Sequence, residues 1–193
     1  MGLKNFFKTY FGTSPKYQKE PVKSETTYQN VTDEENDNLL SFAVYRKYQK
    51  IISRHFELTE NIKIKYSIAI NQPTIFNKHA EECEELCLED IQIAPIYKQY
   101  LDEASSEEKT FYGMYPSFSI LAKLYEKENK LDKAMVICAS AIKLGFLIDQ
   151  SDGGMQGRLA RLIKKYNKNN NKNLQFDYEK NILFDDKTGD VLF

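Results

Sequence analysis

The sequence has no tryptophan and no long apolar run. Its 12 Phe and 13 Tyr residues must therefore supply the large rings of any core. No stretch of about 18 or more apolar residues occurs, so we expect no membrane-spanning helix. Lys4 and Lys8 interrupt the apolar start of the chain, and Phe6 replaces the Ser or Thr of a myristoylation pattern. We therefore expect neither a secretory signal nor a myristoyl anchor.

Cysteine and net charge are also scarce. The three cysteines, an odd number, favour reduced thiols in a cytoplasm over a disulfide framework. Lys and Arg number 27 against 28 Asp and Glu, so no overall charge attracts nucleic acid or an anionic membrane. With 41% hydrophobic and 28% charged residues, the composition is typical of a globular protein with a real core. We predict a cytoplasmic protein with one main domain, and the Lys, Asn, Ile and Tyr content suits an AT-rich bacterial genome.

Proline and glycine are few, 5 and 8, and they mark the predicted boundaries. Residues 1–12 carry an apolar stripe at helical spacing, and a polar, proline-containing stretch follows. We interpret 1–36 as a mobile N-terminal arm and linker, 37–168 as a helical domain and 169–193 as a C-terminal tail. Whether the arm docks on the body, on a partner or on a membrane surface stays open.

Hydrophobic periodicity predicts a mostly α fold. The tail changes to a period of two, which predicts a small β-hairpin with Gly189 at the positive-φ position of its turn. In that hairpin 182–184 and 191–193 flank the turn. We expect the hairpin either to pack on a helix or to pair with the segment 174–178. The predicted helices cover 37–55, 59–71, 74–93, 95–104, 117–128, 131–144 and 155–167.

The run from Tyr115 to Gly145 is the most regular part of the chain. It reads as two amphipathic helices joined by a tight turn at Asn129 and Lys130. The small residues Ala122 and Ala134 lie where the two helices must cross, because close approach needs small side chains. Gly145 is placed to end the second helix in the left-handed conformation.

This hairpin resembles the tetratricopeptide repeat, although Phe118 replaces the usual Trp and Phe146 lies where Pro is common. A second, degenerate repeat is predicted over 42–73, with Asn61 where a small apolar residue belongs. The stretch 151–168 is similar to the closing helix of small bacterial tetratricopeptide proteins of unassigned role. The matching residues of the hairpin are Phe118, Leu121, Ala122, Tyr125, Ala134, Cys138 and Ala141.

The resemblance implies an antiparallel α-hairpin array that acts as a non-enzymatic interaction module. Such arrays bind a peptide or protein in a groove lined by the first helix of each repeat. The repeat geometry assigns partner contact to Tyr115, Ser119, Lys123 and Glu126. The sequence does not identify the partner.

A basic segment over 158–172 supports an alternative, a nucleic-acid-associated or regulatory protein. Gly153, Gly154 and Gly157 precede it, and a glycine-rich helix start can bind anions through its amides. The pattern is neither a Walker loop nor a dinucleotide fingerprint. A solvated helix face is the simpler interpretation. The candidate anion contacts are Arg158, Arg161, Lys164 and Lys165.

No other cluster indicates catalysis, a metal or a cofactor. His79, Cys83 and Cys87 share a helix face, but the first and last lie about 12 Å apart along the axis, too far for one zinc ion. We expect the thiols to pack in the core. The acidic run on the same helix, which ends at Asp90, predicts a solvated face. His55 and His79 have no nucleophile motif beside them.

Overall fold

The computed structural model describes residues 33–72, 76–105 and 113–191, and within these the side chains of 42–72, 78–105 and 113–191. The described chain is mostly α with a small antiparallel sheet at its C-terminal end, as predicted. None of the described helices is both long and apolar enough to cross a bilayer. The elements are α1 (Asp33–Asn71), α2 (Phe76–Ala104), α3 (Pro116–Lys127), α4 (Leu131–Leu144), α5 (Gly154–Asn170), β1 (Leu174–Asp177) and β2 (Ile182–Asp185).

Helix α1 is continuous over 39 residues, whereas the sequence predicted two helices there. Neither Gly nor Pro lies within it, and its buried face runs through the predicted gap, where Leu58 is fully buried. The helix–turn–helix repeat predicted over 42–73 is therefore wrong, because 42–71 contains no turn. Helix α1 also takes in 33–36, which we had assigned to the linker. The rest of the predicted arm and linker, residues 1–32, lies outside the described residues.

Helix α2 runs through Pro95, where the sequence predicted a new helix. Proline in a helix interior lacks the N–H donor and usually costs about 3 kcal/mol. Ile91 and Ala94, just before it, are buried in the core. Packing of this face therefore outweighs the local preference for a break.

The helices pack in order along the chain. Helices α1 and α2 are antiparallel over most of their length, since Lys47 pairs with Glu103 near one end and Lys65 with Glu82 near the other. Helix α3 packs on α2, α4 on α3 and α5 on α4, while α1 also touches α3 and α2 touches α4. Two antiparallel helix pairs therefore lie side by side, followed by α5.

The central hairpin forms as predicted. Helices α3 and α4 are joined by a short turn in which Asn129 has a φ of 58°. Ala122 and Ala134 are fully buried at the predicted helix contact. Gly145 has a φ of 87°, and its amide and the next one bond back to the last turn of α4 at 3.0 and 2.9 Å. This is a Schellman ending, which favours glycine because of the positive φ.

Two glycines in the first turn of α5 allow the helix to approach the backbone of the preceding loop closely. A Cβ on Gly154 would collide with the carbonyl oxygen of Leu147, and one on Gly157 with that of Asp152. The amide of Met155 already donates to the Leu147 carbonyl, at 2.9 Å. The start of α5 is therefore packed against its own preceding loop.

The C-terminal sheet differs from the predicted hairpin in its turn. Strands β1 and β2 pair antiparallel, with Phe176 opposite Leu183, so the connecting turn is 178–181 rather than the turn at Gly189. Gly189 does have a positive φ, 72°, but the second turn leads only to a single bridge between Phe184 and Val191. Residues 192 and 193 lie outside the described part.

The sheet is fastened to α5. The side chain of Asn167 accepts from the Leu174 amide at 2.8 Å and donates to its carbonyl at 2.9 Å. Leu174 and Leu183 are buried in the main core cluster. The sheet is thus part of the folded body, which a lone hairpin needs for stability.

We predict that Gly157→Ala lowers the free energy of unfolding by about 1–2 kcal/mol, because overpacking outweighs the gain in helix propensity. Gly113→Ala is the control, since open space surrounds that position, and it should change stability by less than about 0.5 kcal/mol. Urea denaturation measures both. Equal stability of the two variants would contradict the close approach.

Candidate functional site

Two of the four residues predicted to contact a partner lie in the core. Tyr115 is 2% exposed, and its hydroxyl donates to the Asp90 carbonyl at 2.7 Å. The ring of His55, from α1, stacks on it with 4.5 Å between centroids. Ser119 is 3% exposed. The assignment of these two residues to a partner surface is corrected, because the protein's own side chains cover them.

The other two residues, Lys123 and Glu126, are partly exposed. Glu126 accepts a hydrogen bond from the guanidinium of Arg158, on α5. Helix α1 touches α3. Tyr66, on α1, is partly exposed, and burial of the rest of its side chain raises the pKa of its hydroxyl. We name three partly exposed side chains, Tyr66 of α1 with Lys123 and Glu126 of α3, the inner face.

Arg158 was predicted to contact an anion or a nucleic acid. In the structure it is instead buried between two carboxylates. Its Nε donates to Asp149 Oδ2 at 2.6 Å and its Nη1 to Glu126, and only 9% of its side chain is exposed. Burial would lower the pKa of Arg158, but the bonds to Asp149 and Glu126 outweigh this and raise it. Asp149 behaves in the opposite sense: burial favours a higher pKa, yet hydrogen bonds from Arg158 and Ser151 lower it. Through Glu126, Arg158 fixes α5 to α3, and through Asp149 it fixes α5 to the α4–α5 loop.

The remaining basic candidates lie on the solvent side of α5. Arg161, Lys164 and Lys165 are exposed. Arg161 donates to the Asp152 carbonyl at 2.7 Å, so it also fastens the loop before α5. The amides of Met155 and of Gly157 bond to backbone carbonyls at 2.9 Å, which leaves the helix start without an open cradle of those donors. Contact of Lys164 and Lys165 with nucleic acid stays a prediction.

A buried polar cluster centres on Asp90 and was missed by sequence reasoning. Its Oδ1 lies 2.8 Å from His55 Nδ1, its Oδ2 accepts from the Ser117 hydroxyl, and its carbonyl accepts from Tyr115. Asp90 and Ser117 are 0% exposed and His55 is 5% exposed. We name these four residues the Asp90 cluster.

The sequence did contain a signal for this cluster. Asp90 lies three residues after Cys87 and four before Ala94, on the apolar face of α2, and both neighbours are fully buried. The sequence interpretation grouped Asp90 with the acidic surface residues and so missed its place on the apolar face. The rest of the acidic run is not simply solvated either: Glu82 pairs with Lys65, and Glu89 with Arg54.

The geometry of the Asp90 cluster is that of a structural link. His55 and Ser117 both bond to one carboxylate, so the serine proton points to the aspartate and not to the imidazole. In a Ser-His-Asp triad the imidazole takes the hydroxyl proton, and here the carboxylate occupies that position. The imidazole is held between the rings of Tyr97 and Tyr115, at 4.4 and 4.5 Å. The cluster therefore ties α1, α2 and the start of α3 together.

The three thiols are core residues, as predicted. Cys83, Cys87 and Cys138 are unpaired and fully buried. Burial raises the pKa of Cys87 and of Cys138, which keeps both protonated and unreactive. Among the described residues, no group of three or more His, Cys, Asp or Glu side chains is arranged to hold a metal ion.

Comparison with known proteins adds no relative. Neither a family model, nor a curated protein, nor a solved structure matches the chain. The tetratricopeptide resemblance therefore rests on the residues of the central hairpin and stays a prediction.

We expect Asp90→Ala to lower the free energy of unfolding by about 3–5 kcal/mol, because it leaves buried His55 and Ser117 without their partner. Glu85→Ala removes an exposed carboxylate from the same helix and should change stability by less than about 0.5 kcal/mol. Chemical denaturation followed by circular dichroism measures both. A loss below about 1 kcal/mol for Asp90→Ala would show that the cluster does not stabilise the fold.

We expect Asp149→Asn to destabilise the protein by about 1–3 kcal/mol at neutral pH. Because folding lowers the pKa of Asp149, its ionised form stabilises the fold above the unfolded pKa near 3.9, and this contribution fades as pH falls through the folded value. The difference between wild type and variant should therefore shrink below about pH 4.

Asp152→Asn is the matched control for this experiment, since that side chain is exposed on the same loop. Its effect should be small at every pH. A difference between wild type and Asp149→Asn that stays constant from neutral pH down to acid unfolding would argue against an ionic role for Asp149.

Proposed function

We propose that the protein is a non-enzymatic interaction module of tetratricopeptide type, which binds a peptide or protein on its inner face. The observation that carries the proposal is the packing of the helices in chain order, two antiparallel pairs followed by α5, which leaves Tyr66, Lys123 and Glu126 partly exposed on α1 and α3. In helical-repeat proteins, alternate helices line the binding surface.

The chemistry of the inner face suits a protein partner. Tyr is enriched at such interfaces, since its ring offers a large rigid contact area. Buried Arg158 holds Glu126 in place through a hydrogen bond from its guanidinium. Lys123 is partly exposed on α3, three residues before Glu126, and adds a positive charge. Compared with the residues inferred from repeat geometry, Tyr66 takes the place of Tyr115 and Ser119, which are buried.

The position of the reactive groups favours binding over catalysis. In the described part of the chain, the thiols and the Asp90 cluster are buried beneath other side chains, where a substrate does not reach them. Lys164 and Lys165 lie outside the inner face and are not needed for this function.

Affinity capture from the source organism, followed by titration of the purified partner, tests the proposal. We expect Lys123→Glu to weaken binding at least about tenfold, which corresponds to about 1.4 kcal/mol. Lys187→Glu makes the same charge reversal in the exposed turn after β2 and should bind like wild type. A captured partner that binds both variants with wild-type affinity would refute the inner face as the binding surface.

A further inference from the structure

The outward side of α1 carries an apolar stripe that the described residues leave exposed. Phe56, Ile64 and Phe42 are 57%, 56% and 54% exposed, the highest values among the large apolar side chains described. At 3.6 residues per turn they fall within about 80° of one another, along about 33 Å of helix. The buried residues of the same helix, such as His55 and Ile62, point to the opposite side. Patches of this kind mark interaction surfaces.

The charges along this stripe are self-complementary. The exposed basic residues Arg46 and Lys50 precede Ser53, and the exposed acidic residues Glu57 and Glu60 follow it. Arg54 and Lys63 also follow Ser53 and pair with these two glutamates within the chain. A second copy running antiparallel across Ser53 reverses this order. Arg46 of each copy then meets Glu60 of the other.

We propose that the protein forms a two-fold symmetric dimer through antiparallel pairing of α1 around Ser53. A residue a given number of positions before Ser53 then faces the residue that many positions after it on the other copy. Phe42 faces Ile64, so two of the most exposed apolar side chains cover each other. Arg46 faces Glu60. A C2 interface of this kind is self-complementary by construction.

The remaining contacts fit the same register. Lys50 faces the ring of Phe56, a cation–π geometry. Ser53 meets its own copy on the axis, where a small side chain permits close helix approach. Within one chain, Glu60 pairs with Lys63, and Arg46 lies over Phe42 at 4.8 Å. Both contacts are exposed and therefore weak, so partners exchange at little cost.

The dimer leaves the inner face accessible. Tyr66 lies about 120° around α1 from the centre of the stripe. Each dimer would then present two inner faces, and a partner with two binding segments would gain affinity through avidity. Dimerisation does not depend on the proposed function, because self-association of the chain is measured without any other partner.

Sedimentation velocity of the full chain between about 1 and 100 µM tests the dimer, since that range brackets moderate affinities. The mass should rise from 22.5 kDa towards twice that value. Arg46→Glu and Glu60→Arg should each weaken association at least about tenfold. The double variant reverses both charges and should return to within about threefold of wild type. Lys187→Glu, away from the stripe, should have no effect.

Cross-linking locates the axis independently. Ser53→Cys should give a covalent dimer with a short bismaleimide, whereas Ser67→Cys, exposed on the same helix but far from the axis, should not. A monomer across the whole concentration range overturns the proposal and means that another segment or partner covers the stripe. Failure of the double variant to recover, or cross-linking at position 67 but not at 53, overturns the register.

Discussion

The buried carboxylate of Asp90 is the constraint on which the rest of the fold depends. A charge removed from water is costly unless every oxygen has a partner. Here the partners come from α1, through His55, and from α3, through Ser117, so the carboxylate is satisfied only when three helices are in place. The Tyr115 hydroxyl also donates a hydrogen bond to the backbone carbonyl of Asp90. This link fixes where the central hairpin sits on the α1–α2 pair.

A second ionic link acts at the other end of the stack. Arg158 joins α5 to α3 through Glu126 and to the preceding loop through Asp149. Between the two links the contacts are apolar, with Leu121 and Ile137 among the fully buried side chains. Apolar packing tolerates some sliding, whereas two satisfied polar clusters specify one register. The inner face exists because these links align α1 and α3.

Local sequence patterns predicted the local structure well. The hairpin from Tyr115 to Gly145 was predicted nearly to the residue, because Ala122, Ala134 and the capping glycine each act within one or two turns. The continuity of α1 and α2 was missed for a different reason. Pro95 favours a break locally, and only burial of Ile91 and Ala94 against neighbouring helices overrides it. Local sequence patterns do not include the packing of helices that are distant in the sequence.

The candidate site was predicted in part, for the same physical reason. Repeat geometry predicted the side of α3 that carries Lys123 and Glu126, and both side chains are partly exposed. Arg158 was taken for a surface cation, since its two carboxylates lie 9 and 32 residues away in the chain. Asp90 was likewise grouped with its acidic neighbours, although its partner His55 is 35 residues distant. Long-range pairing of buried charges decided both positions.

Native-state hydrogen exchange of Ser117→Ala compared with wild type tests most directly whether the Asp90 cluster joins three helices into one unit. The substitution removes one hydroxyl, on α3. We expect a similar loss of protection in α1 around His55, in α2 around Asp90 and in α3, because the carboxylate shared by these helices loses one partner. Loss of protection confined to α3, with α1 and α2 unchanged, would contradict it.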